Sequence, residues 1–317
     1  MHTLKIIDNK NTWNNFIINS GFKFYSFVDS WEWGEFNKLE GQEVYRYGIF
    51  ENDENLVGVF QLIKIKAKRA TYMFTPHGPL ILGDFFAVLE EIKKELIEIA
   101  KSHKLSFIRL NSVQENTKEN KHLYSEAGFI DAPMHVHAED THLLDLTLSE
   151  EQLLKNMRQT TRYTINRAIK EGVKVELDHG ENSIDNLIAL HQKHARRTNG
   201  KNNYHAFRES YIKNLFKVFD KDSISIMNAI YDGFVEATLI TIKFGETCVY
   251  YIGASEIKNP KFSPAYLLQW EAIRRAKNNG CKIYNFWGVS PDDNPKHPIQ
   301  GVSLFKRGFG GYDYYLL

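Results

Sequence analysis

EIAKSHKLSFIRLNSV (98–113) and, 176 residues further on, RRAKNNGCKIYNFWGV (274–289) are the two stretches that decide the fold. Each begins as the end of a helix, passes through a polar turn and continues as an apolar run that alternates with polar positions. Such alternation is typical of a strand with one face buried. The sequence therefore predicts the same helix-then-strand unit twice.

The similarity continues on both sides of these stretches. Upstream, VFQLIKIK (59–66) parallels ATLITIK (237–243), and downstream AGF (127–129) parallels RGFGG (307–311). Each half then reads strand, strand, helix, strand and a Gly-Phe turn. Because ordered blocks at one spacing are typical of a duplicated module, we expect two copies of an α/β (α+β) unit with helices packed on a mixed sheet.

Length and composition set the class of protein. The chain has 317 residues, of which 43% are apolar, 25% charged and 13% aromatic. This excludes a disordered chain, and no apolar run approaches the roughly 20 residues of a membrane helix. The first residues lack the apolar segment of a secretory signal.

The two cysteines, Cys248 and Cys281, are too few for a disulfide framework and are interpreted as small core residues. A cytoplasmic protein is expected.

A helix between the two halves places the domain boundary. Ser149 followed by Gln152 forms a capping-box pattern, and Gly172 stops the apolar periodicity before the strand-like VKVEL. These signals predict one helix over 149–171. They divide the chain into a first domain at 1–147, a second at 148–311 and a C-terminal tail at 312–317.

The two halves differ in charge. Residues 1–147 carry 16 basic and 21 acidic side chains, a net charge of −5, whereas the remainder carries 24 and 18, a net charge of +6. On the predicted helix, at about 100° per residue, Lys155, Arg158 and Arg162 lie within roughly 60° of one another. Such a stripe could bind phosphates, or it could be a solvated face whose aliphatic stems cover the core.

Familiar catalytic motifs are missing. The sequence contains no G-x-S-x-G, H-E-x-x-H or phosphate-binding Gly-rich loop. Arg197 to Asn202 only superficially resembles the coenzyme A loop of acetyltransferases, and it lacks the preceding central strand. His135, His137 and His142 lie close in sequence, but further ligands at useful spacing are absent, so we expect no metal.

The C-terminal stretch offers one candidate for chemistry. A strand is expected to end at Trp287-Gly288, and a short helix at 301–307 follows a polar loop. Phe305 and Lys306 come directly before Gly308-Phe309-Gly310-Gly311, where three glycines permit close backbone approach. Lys306 could therefore point into a cleft, or it could be an ordinary exposed lysine.

Several segments in the same order resemble the FemABX family of peptidoglycan-bridge aminoacyltransferases. They are an opening SFVDSWEWGEFNKLEGQEVYRYGI (26–49), then THLLDLTLSEEQLLKNMRQTTRYTINRAIKEGV (141–173), YYIGASEIKN (250–259), PAYLLQWEAIRRAKNNGCKIYNFWGV (264–289) and GVSLFKRGFGG (301–311). The resemblance covers nearly the whole chain. It implies tandem GNAT-like domains with a channel between them, in the short form without a helical arm.

The resemblance also implies an activity. Such enzymes transfer an amino acid from aminoacyl-tRNA to an amino group of the peptidoglycan precursor stem peptide. Expected partners are aminoacyl-tRNA and UDP-MurNAc-pentapeptide or lipid II, with peripheral contact to the inner membrane face as a further option. No cofactor is expected beyond aminoacyl-tRNA as co-substrate.

Individual residues carry over from the resemblance. Phe305 and Lys306 match the family's Phe-Lys pair, so Lys306 is expected to take part in the transfer step. Four residues are expected to bind the precursor: Lys38, Arg197, Tyr211 and Asn111, the last standing where several relatives carry an acid. The basic stripe of the second domain, rather than the resemblance, suggests a tRNA-binding role for Lys155, Arg158 and Arg162.

Two other interpretations stay open at this point. One is a GNAT-type N-acyltransferase that uses an acyl-CoA donor. The other is a GNAT-like pair without catalytic activity that serves as an adaptor. Acetyl-CoA binding would favour the first, and a cleft filled by side chains would favour the second.

Overall fold

The computed structural model describes residues 1–132, 140–178, 181–198, 207–256, 262–291 and 296–317. The chain divides into two compact units. Unit 1 comprises Met1–Glu139 together with Tyr315–Leu317, and unit 2 comprises Asp140–Tyr314. The sequence-based division at residues 147 and 311 stays a prediction.

Unit 1 contains a six-stranded mixed sheet in the order β1-β2-β3-β4-β6, with β5 paired to β3. All pairs are antiparallel except β4 with β6, which is parallel. The strands are β1 (His2–Ile6), β2 (Glu43–Glu51), β3 (Asn55–Lys66), β4 (Thr71–Thr75), β5 (Leu80–Ile81) and β6 (Phe107–Leu110). The helices are α1 (Lys10–Asn19), α2 (Trp31–Leu39), α3 (Phe85–Ser102) and α4 (Lys118–Glu126), with a 3₁₀ turn at Phe27–Asp29.

Helix α3 shows why the sequence forms these elements. The Asp84 side chain accepts a hydrogen bond from the Ala87 N–H and caps the helix start. Leu89, Ile92 and Leu96 recur at helical spacing, are buried and pack in one cluster with residues of the sheet. The helix therefore covers one sheet face and makes the parallel crossover from β4 to β6.

Unit 2 contains a seven-stranded mixed sheet in the order β13-β7-β12-β11-β10-β9-β8. The strands are β7 (Asp140–Asp145), β8 (Lys174–Asp178), β9 (Ile224–Tyr231), β10 (Phe234–Phe244), β11 (Thr247–Ser255), β12 (Ile283–Gly288) and β13 (Tyr312–Tyr315). The helices are α5 (Glu150–Asn156), α6 (Gln159–Lys170), α7 (Glu181–Thr198), α8 (Glu209–Val218), α9 (Pro264–Asn278) and α10 (Gln300–Arg307). None of the helices within the described ranges is long and apolar enough to cross a bilayer.

Helix α9 repeats in unit 2 what α3 does in unit 1. It buries Leu268, Trp270 and Ile273 in a core cluster with the sheet, and it leads from β11 into the parallel strand β12. β6 begins at Phe107 and β12 begins at Ile283, 176 residues later. This is the spacing that the sequence comparison predicted. The expected fold of two α/β units with mixed sheets is therefore confirmed.

The linking helix differs from its prediction. Instead of one helix over 149–171, α5 ends at Asn156 and α6 begins at Gln159, with Met157 and Arg158 in extended conformation. No glycine or proline marks this break. Tertiary contacts stabilise it, since the Arg158 N–H donates to the Gly308 carbonyl at 3.0 Å and Arg162 caps α5. The angular argument that grouped Lys155 with Arg158 and Arg162 on one helix is therefore wrong.

The last residues of the chain lie in both units. β13 neighbours β7 in the sheet of unit 2. Leu316 is buried in unit 1, where it forms a β-bridge with Glu115. The neighbouring Asn116 and Leu317 N–H groups donate to the carbonyls of Tyr315 and Gln114. Residues 315–317 thus form part of the structure of unit 1.

The turn before β13 should tolerate only glycine at position 311. Gly311 has a φ of 94°, and a Cβ there would lie 2.2 Å from the Leu143 carbonyl oxygen. We expect Gly311→Ala to lower the free energy of unfolding by more than about 2 kcal/mol. Urea denaturation measures this, and a wild-type midpoint would contradict the described turn.

Gly301→Ala is the matched control. No atom lies within 4 Å of a Cβ at Gly301, and the residue lies inside α10. Alanine there should raise the free energy of unfolding by up to about 1 kcal/mol because it restricts the unfolded chain and favours the helix.

Candidate active site

Lys306 is a buried amine on α10, with 7% of its surface exposed. Its Nζ donates to the Gly288 carbonyl at 2.6 Å and lies 5.8 Å from the centre of the Tyr250 ring. Gly288 ends β12 and Tyr250 belongs to β11. The interpretation as an exposed lysine is therefore wrong, and the amine points at the end of β12 and at the middle of the neighbouring strand β11.

These strands separate where Lys306 reaches them. β11 and β12 pair in parallel from Thr247/Ile283 to Val249/Asn285. Within the described residues no pairs follow, although both strands continue, so the backbones form a wedge. In unit 1 the equivalent strands remain joined, since the Gly78 N–H donates to the Asn111 carbonyl at 2.8 Å. We call the opening in unit 2 the strand wedge.

The end of β12 has an unusual backbone. Trp287 adopts a φ of 64°, which non-glycine residues rarely do and which costs about 1–3 kcal/mol. Its N–H donates at 2.7 Å to Oδ1 of the buried Asn285, which also accepts from the Thr141 hydroxyl. These bonds hold the bend that presents the Gly288 carbonyl to Lys306. Strain of this kind is common at functional sites.

Burial lowers the pKa of Lys306 to about 7. The cause is desolvation, because removing an ammonium from water disfavours its charged form. No carboxylate of the described residues forms an ion pair that would offset this. An amine that titrates near neutral pH can stabilise a developing negative charge or exchange a proton during a reaction.

Phe305, the other half of the Phe-Lys pair, is half-buried in an aromatic cluster. Its ring meets Tyr266 of α9 edge-on at 4.8 Å between centroids and Phe309 at 5.3 Å. These contacts fix α10 against α9. The geometry thus gives Phe305 a packing role next to Lys306.

Tyr211 belongs to an aromatic group that leads towards Lys306. Its hydroxyl hydrogen-bonds with that of Tyr251, and its ring stacks on Phe207 at 5.0 Å. Tyr251 in turn meets Trp287 edge-on at 6.2 Å, and Trp287 precedes Gly288. Burial, followed by the proximity of Tyr211, raises the pKa of Tyr251 well above its ordinary value.

Sequence reasoning missed Tyr250 and Tyr251. Neighbouring residues of a strand point to opposite faces of the sheet, so Tyr250 faces Lys306 while Tyr251 reaches Tyr211. The signal was the doubled aromatic in VYYIGAS, which lies where β11 leaves its pairing with β12. The two tyrosines can be assigned to the site only when β11 is known to be a central strand of the sheet.

The three proposed tRNA-binding residues differ in their surroundings. Lys155 and Arg158 are exposed, and Arg158 Nη1 approaches the Leu304 carbonyl of α10 at 3.4 Å. Arg162 Nη1 instead donates to the carbonyls of Leu154 and Lys155 at 3.2 and 3.1 Å, and to that of Met157. Arg162 therefore satisfies the free carbonyls at the end of α5.

Lys38 lies on α2 in unit 1. Its exposed Nζ pairs with Glu35 at 2.9 Å, and the same carboxylate oxygen accepts from the buried Arg46, also at 2.9 Å. Burial raises the pKa of Glu35, but the hydrogen bonds from Lys38 and Arg46 outweigh it, so the pKa is below its ordinary value. Arg46 is itself fixed by its guanidinium lying 3.6 Å from the Trp31 ring centre.

Asn111 is buried directly after β6. Its Oδ1 accepts from Arg109 Nε at 3.2 Å, and its backbone joins β4 and the following loop through Thr75 and Gly78. Within the described part of the chain its Nδ2 has no hydrogen-bond partner. Asn111 thus offers one amide donor and no negative charge.

Some predicted residues fall outside the described part of the chain. They are the side chain of Arg197 and both His135 and His137. Among the residues that the structure describes, no three His, Cys, Asp or Glu side chains are placed to hold a metal. Cys248 and Cys281 are free and buried in the core of unit 2, as the sequence predicted.

The sequence of the chain matches that of a known protein family. A sequence model of the FemAB family matches residues 9–233 and 232–314. Aminoacyltransferase FemA from Staphylococcus epidermidis is 36% identical over 61 residues, which are 19% of this chain and 15% of that relative. The chain thus matches only about a seventh of the length of this curated relative.

Solved structures share the fold. The crystal structure of FemX superposes with a TM-score of 0.83 at 16% identity, covering 99% of this chain and 95% of that one. A tandem GNAT protein from the clavulanic acid biosynthesis pathway superposes with a TM-score of 0.59 at 12% identity, covering 100% and 97%. The fold is therefore tandem GNAT-like.

The burial of Lys306 should be visible in the pH dependence of stability. Because its pKa is lower in the folded than in the unfolded chain, the unfolded chain binds more protons between about pH 7 and 10.5. The free energy of unfolding should then rise with pH by up to about 1.4 kcal/mol per unit from this group. Lys306→Met should lack this contribution. Urea titrations of both proteins at pH 7 and 9 measure this contribution. If the free energy of unfolding changed equally with pH in both proteins, the Lys306 amine would be hydrated in the folded state.

Proposed function

Since the chain belongs to the FemAB family, we propose that it transfers an amino acid from aminoacyl-tRNA to an amino group of the peptidoglycan precursor stem peptide. The observation that carries the proposal is the buried amine of Lys306 at the strand wedge of unit 2. Members of this family are aminoacyltransferases, and an acyl group bound at the wedge would lie beside this amine. The reaction would occur in the cytoplasm, where both substrates are made.

The chemistry requires no cofactor. The neutral acceptor amine attacks the ester carbonyl carbon, and a C–N bond forms while the carbonyl oxygen becomes negative. Collapse of this intermediate breaks the bond to the ribose oxygen. One proton leaves the former amine and ends on that oxygen, so the products are an amide and free tRNA.

Lys306 would act on the carbonyl oxygen. A fixed cation close to the developing oxyanion stabilises the transition state more than the substrate. Its site excludes water, which strengthens the interaction. Phe305 would help by holding α10 against Tyr266.

For the acceptor we propose Lys38, Arg197, Tyr211 and Asn111 as binding residues. Lys38 is an exposed cation that can exchange its Glu35 partner for a phosphate. The buried Asn111 has an amide group without a hydrogen-bond partner in the described part of the chain. Tyr211 belongs to the aromatic group that ends beside Gly288. The acceptor would be UDP-MurNAc-pentapeptide or lipid II, the latter requiring contact with the inner membrane face.

The proposal is tested by mass spectrometry. Purified protein is incubated with a mixed aminoacyl-tRNA pool and UDP-MurNAc-pentapeptide, and in parallel with lipid II in detergent. Addition of an amino-acid residue mass to one precursor is expected. Absence of product from both acceptors would contradict the proposal, and an acetylated product formed from acetyl-CoA would favour the acyl-CoA alternative.

Lys306→Ala should abolish the transfer without abolishing binding of the precursor. Loss of an oxyanion-stabilising group costs about 100- to 1,000-fold in kcat. Single-turnover assays measure the rate, and calorimetry measures precursor binding. Wild-type turnover in the variant would remove Lys306 from the mechanism.

The pH profile identifies the active form of Lys306. Its cationic fraction falls as pH rises through about 7. The kcat at saturating substrates should therefore fall above pH 7, and this decrease should be absent from the pH profile of Lys306→Ala. A kcat that instead rises from pH 6 to 8.5 through a Lys306-dependent limb would mean that the neutral amine takes a proton.

Binding of aminoacyl-tRNA should depend on salt and on two exposed cations. Replacing Lys155 or Arg158 by Ala should reduce the slope of log affinity against log salt by about one unit, measured by fluorescence anisotropy between about 50 and 200 mM KCl. Arg162→Ala should mainly lower the unfolding temperature, because it removes the cap of α5. A salt slope unchanged in both surface variants would place tRNA elsewhere.

A further inference from the structure

A closed ring of contacts fixes the helix that carries Lys306. On one side Lys306 bonds to Gly288, and Gly288 pairs with Thr141 of β7. On the other side Arg307, next in sequence, bonds to Asp313 of β13. Asp313 in turn contacts His142, which follows Thr141 in β7, so the ring closes.

The contacts of Arg307 in this ring are specific. Nη2 and Nε donate to the same Asp313 oxygen at 2.7 and 2.9 Å, and Nη2 also donates to the Ser290 carbonyl at 2.6 Å. Both partners are nearly buried, with 10% and 11% of their side chains exposed. A second tie joins the same segments, because the Ser290 N–H donates to the Ser303 hydroxyl of α10 at 2.7 Å.

His142 bridges β13 and the turn that precedes this strand. Its Nε2 lies 2.7 Å from the Gly310 carbonyl oxygen, which can only accept. Its Nδ1 lies 2.6 Å from Asp313 Oδ1. Burial raises the pKa of Asp313, but hydrogen bonds from His142 and Arg307 lower it to about 2. His142 therefore contacts both β13 and the preceding turn, one through each ring nitrogen.

We propose that Asp313, with Arg307 and His142, is the positioning residue that holds Lys306 at the Gly288 carbonyl. Two nearly buried side chains, Arg307 and His142, hydrogen-bond to its carboxylate, and its strand is joined to both β7 and α10. Without it, the end of α10 is held by fewer bonds, and the Lys306 amine can move towards water. The inference rests on the proposed function for its kinetic consequence, but its structural consequence is measurable without catalysis.

The primary test is Asp313→Asn, which keeps the shape and removes the charge. The titration of Lys306 is followed by NMR of ¹³Cε-labelled lysine, with its signal assigned by its loss in Lys306→Met. We expect the midpoint to rise by at least one pH unit in Asp313→Asn as the amine becomes hydrated. In transfer assays kcat should fall about 10- to 100-fold while the KM for aminoacyl-tRNA changes less than about twofold, and Asp313→Glu should recover part of the loss.

Glu150→Gln is the control. It breaks an ion pair of the same unit, between Glu150 and Arg274 at 3.0 Å, that lies outside the ring. It should leave both the Lys306 midpoint and kcat unchanged. Should Asp313→Asn fail to fold, Arg307→Lys replaces it, since lysine keeps the charge but cannot donate to Asp313 and Ser290 in the same geometry.

The outcomes separate the two claims. A wild-type Lys306 midpoint and a wild-type kcat in Asp313→Asn, even with a lower unfolding temperature, would overturn the positioning role. A shifted midpoint supports it. A shifted midpoint in a protein whose wild type transfers nothing would retain the positioning role and reject the proposed function.

Discussion

The hydrogen bond from the Lys306 amine to the Gly288 carbonyl is the contact on which the candidate site depends. A lysine taken out of water costs free energy unless the surroundings compensate, and here the polar contacts of the amine are the Gly288 carbonyl and the Tyr250 ring. Such a group stays buried only if the elements around it are fixed. The strained turn at Trp287, the aromatic packing of Phe305 and the salt-bridged ring through Asp313 all serve to fix them.

The site lies where a general feature of the fold meets a local one. The general feature is the crossover β11-α9-β12, which makes two parallel strands that pair for three residues and then diverge. The local feature is α10, whose final turn enters the diverging region. Neither alone creates a reactive amine: strands without Lys306 offer only backbone groups, and Lys306 on a free helix would be hydrated and ordinary.

The sequence was informative about periodic and repeated features. The repeat at 98–113 and 274–289 predicted the helix-then-strand units α3-β6 and α9-β12, and the capping box at Ser149 and the short helix before Gly308 were found as expected. These signals are local in sequence, so they can be read directly. The break between α5 and α6 was missed because a side chain, Arg162, and a distant carbonyl, that of Gly308, stabilise it. The helix propensity of a residue does not depend on such partners, so it could not predict the break.

The candidate site shows the same limit. Lys306 was singled out by sequence and by resemblance, but its burial could not be read from GVSLFKRGFGG. Asp313 and His142 are 171 residues apart and meet only because β7 and β13 are neighbours in the sheet. Strand order across such separations is set by tertiary packing. Tyr250 and Tyr251 could have been assigned only once β11 was known to be central.

The hydrogen bonds that join Gly78, Asn111 and Thr75 distinguish unit 1 from unit 2. In unit 2 the corresponding strand ends diverge, whereas in unit 1 each of these backbone groups is already satisfied and has nothing to offer an incoming carbonyl. The two sheets thus share the same crossover, but among the described residues only the one in unit 2 leaves its parallel strands unpaired beyond the third pair.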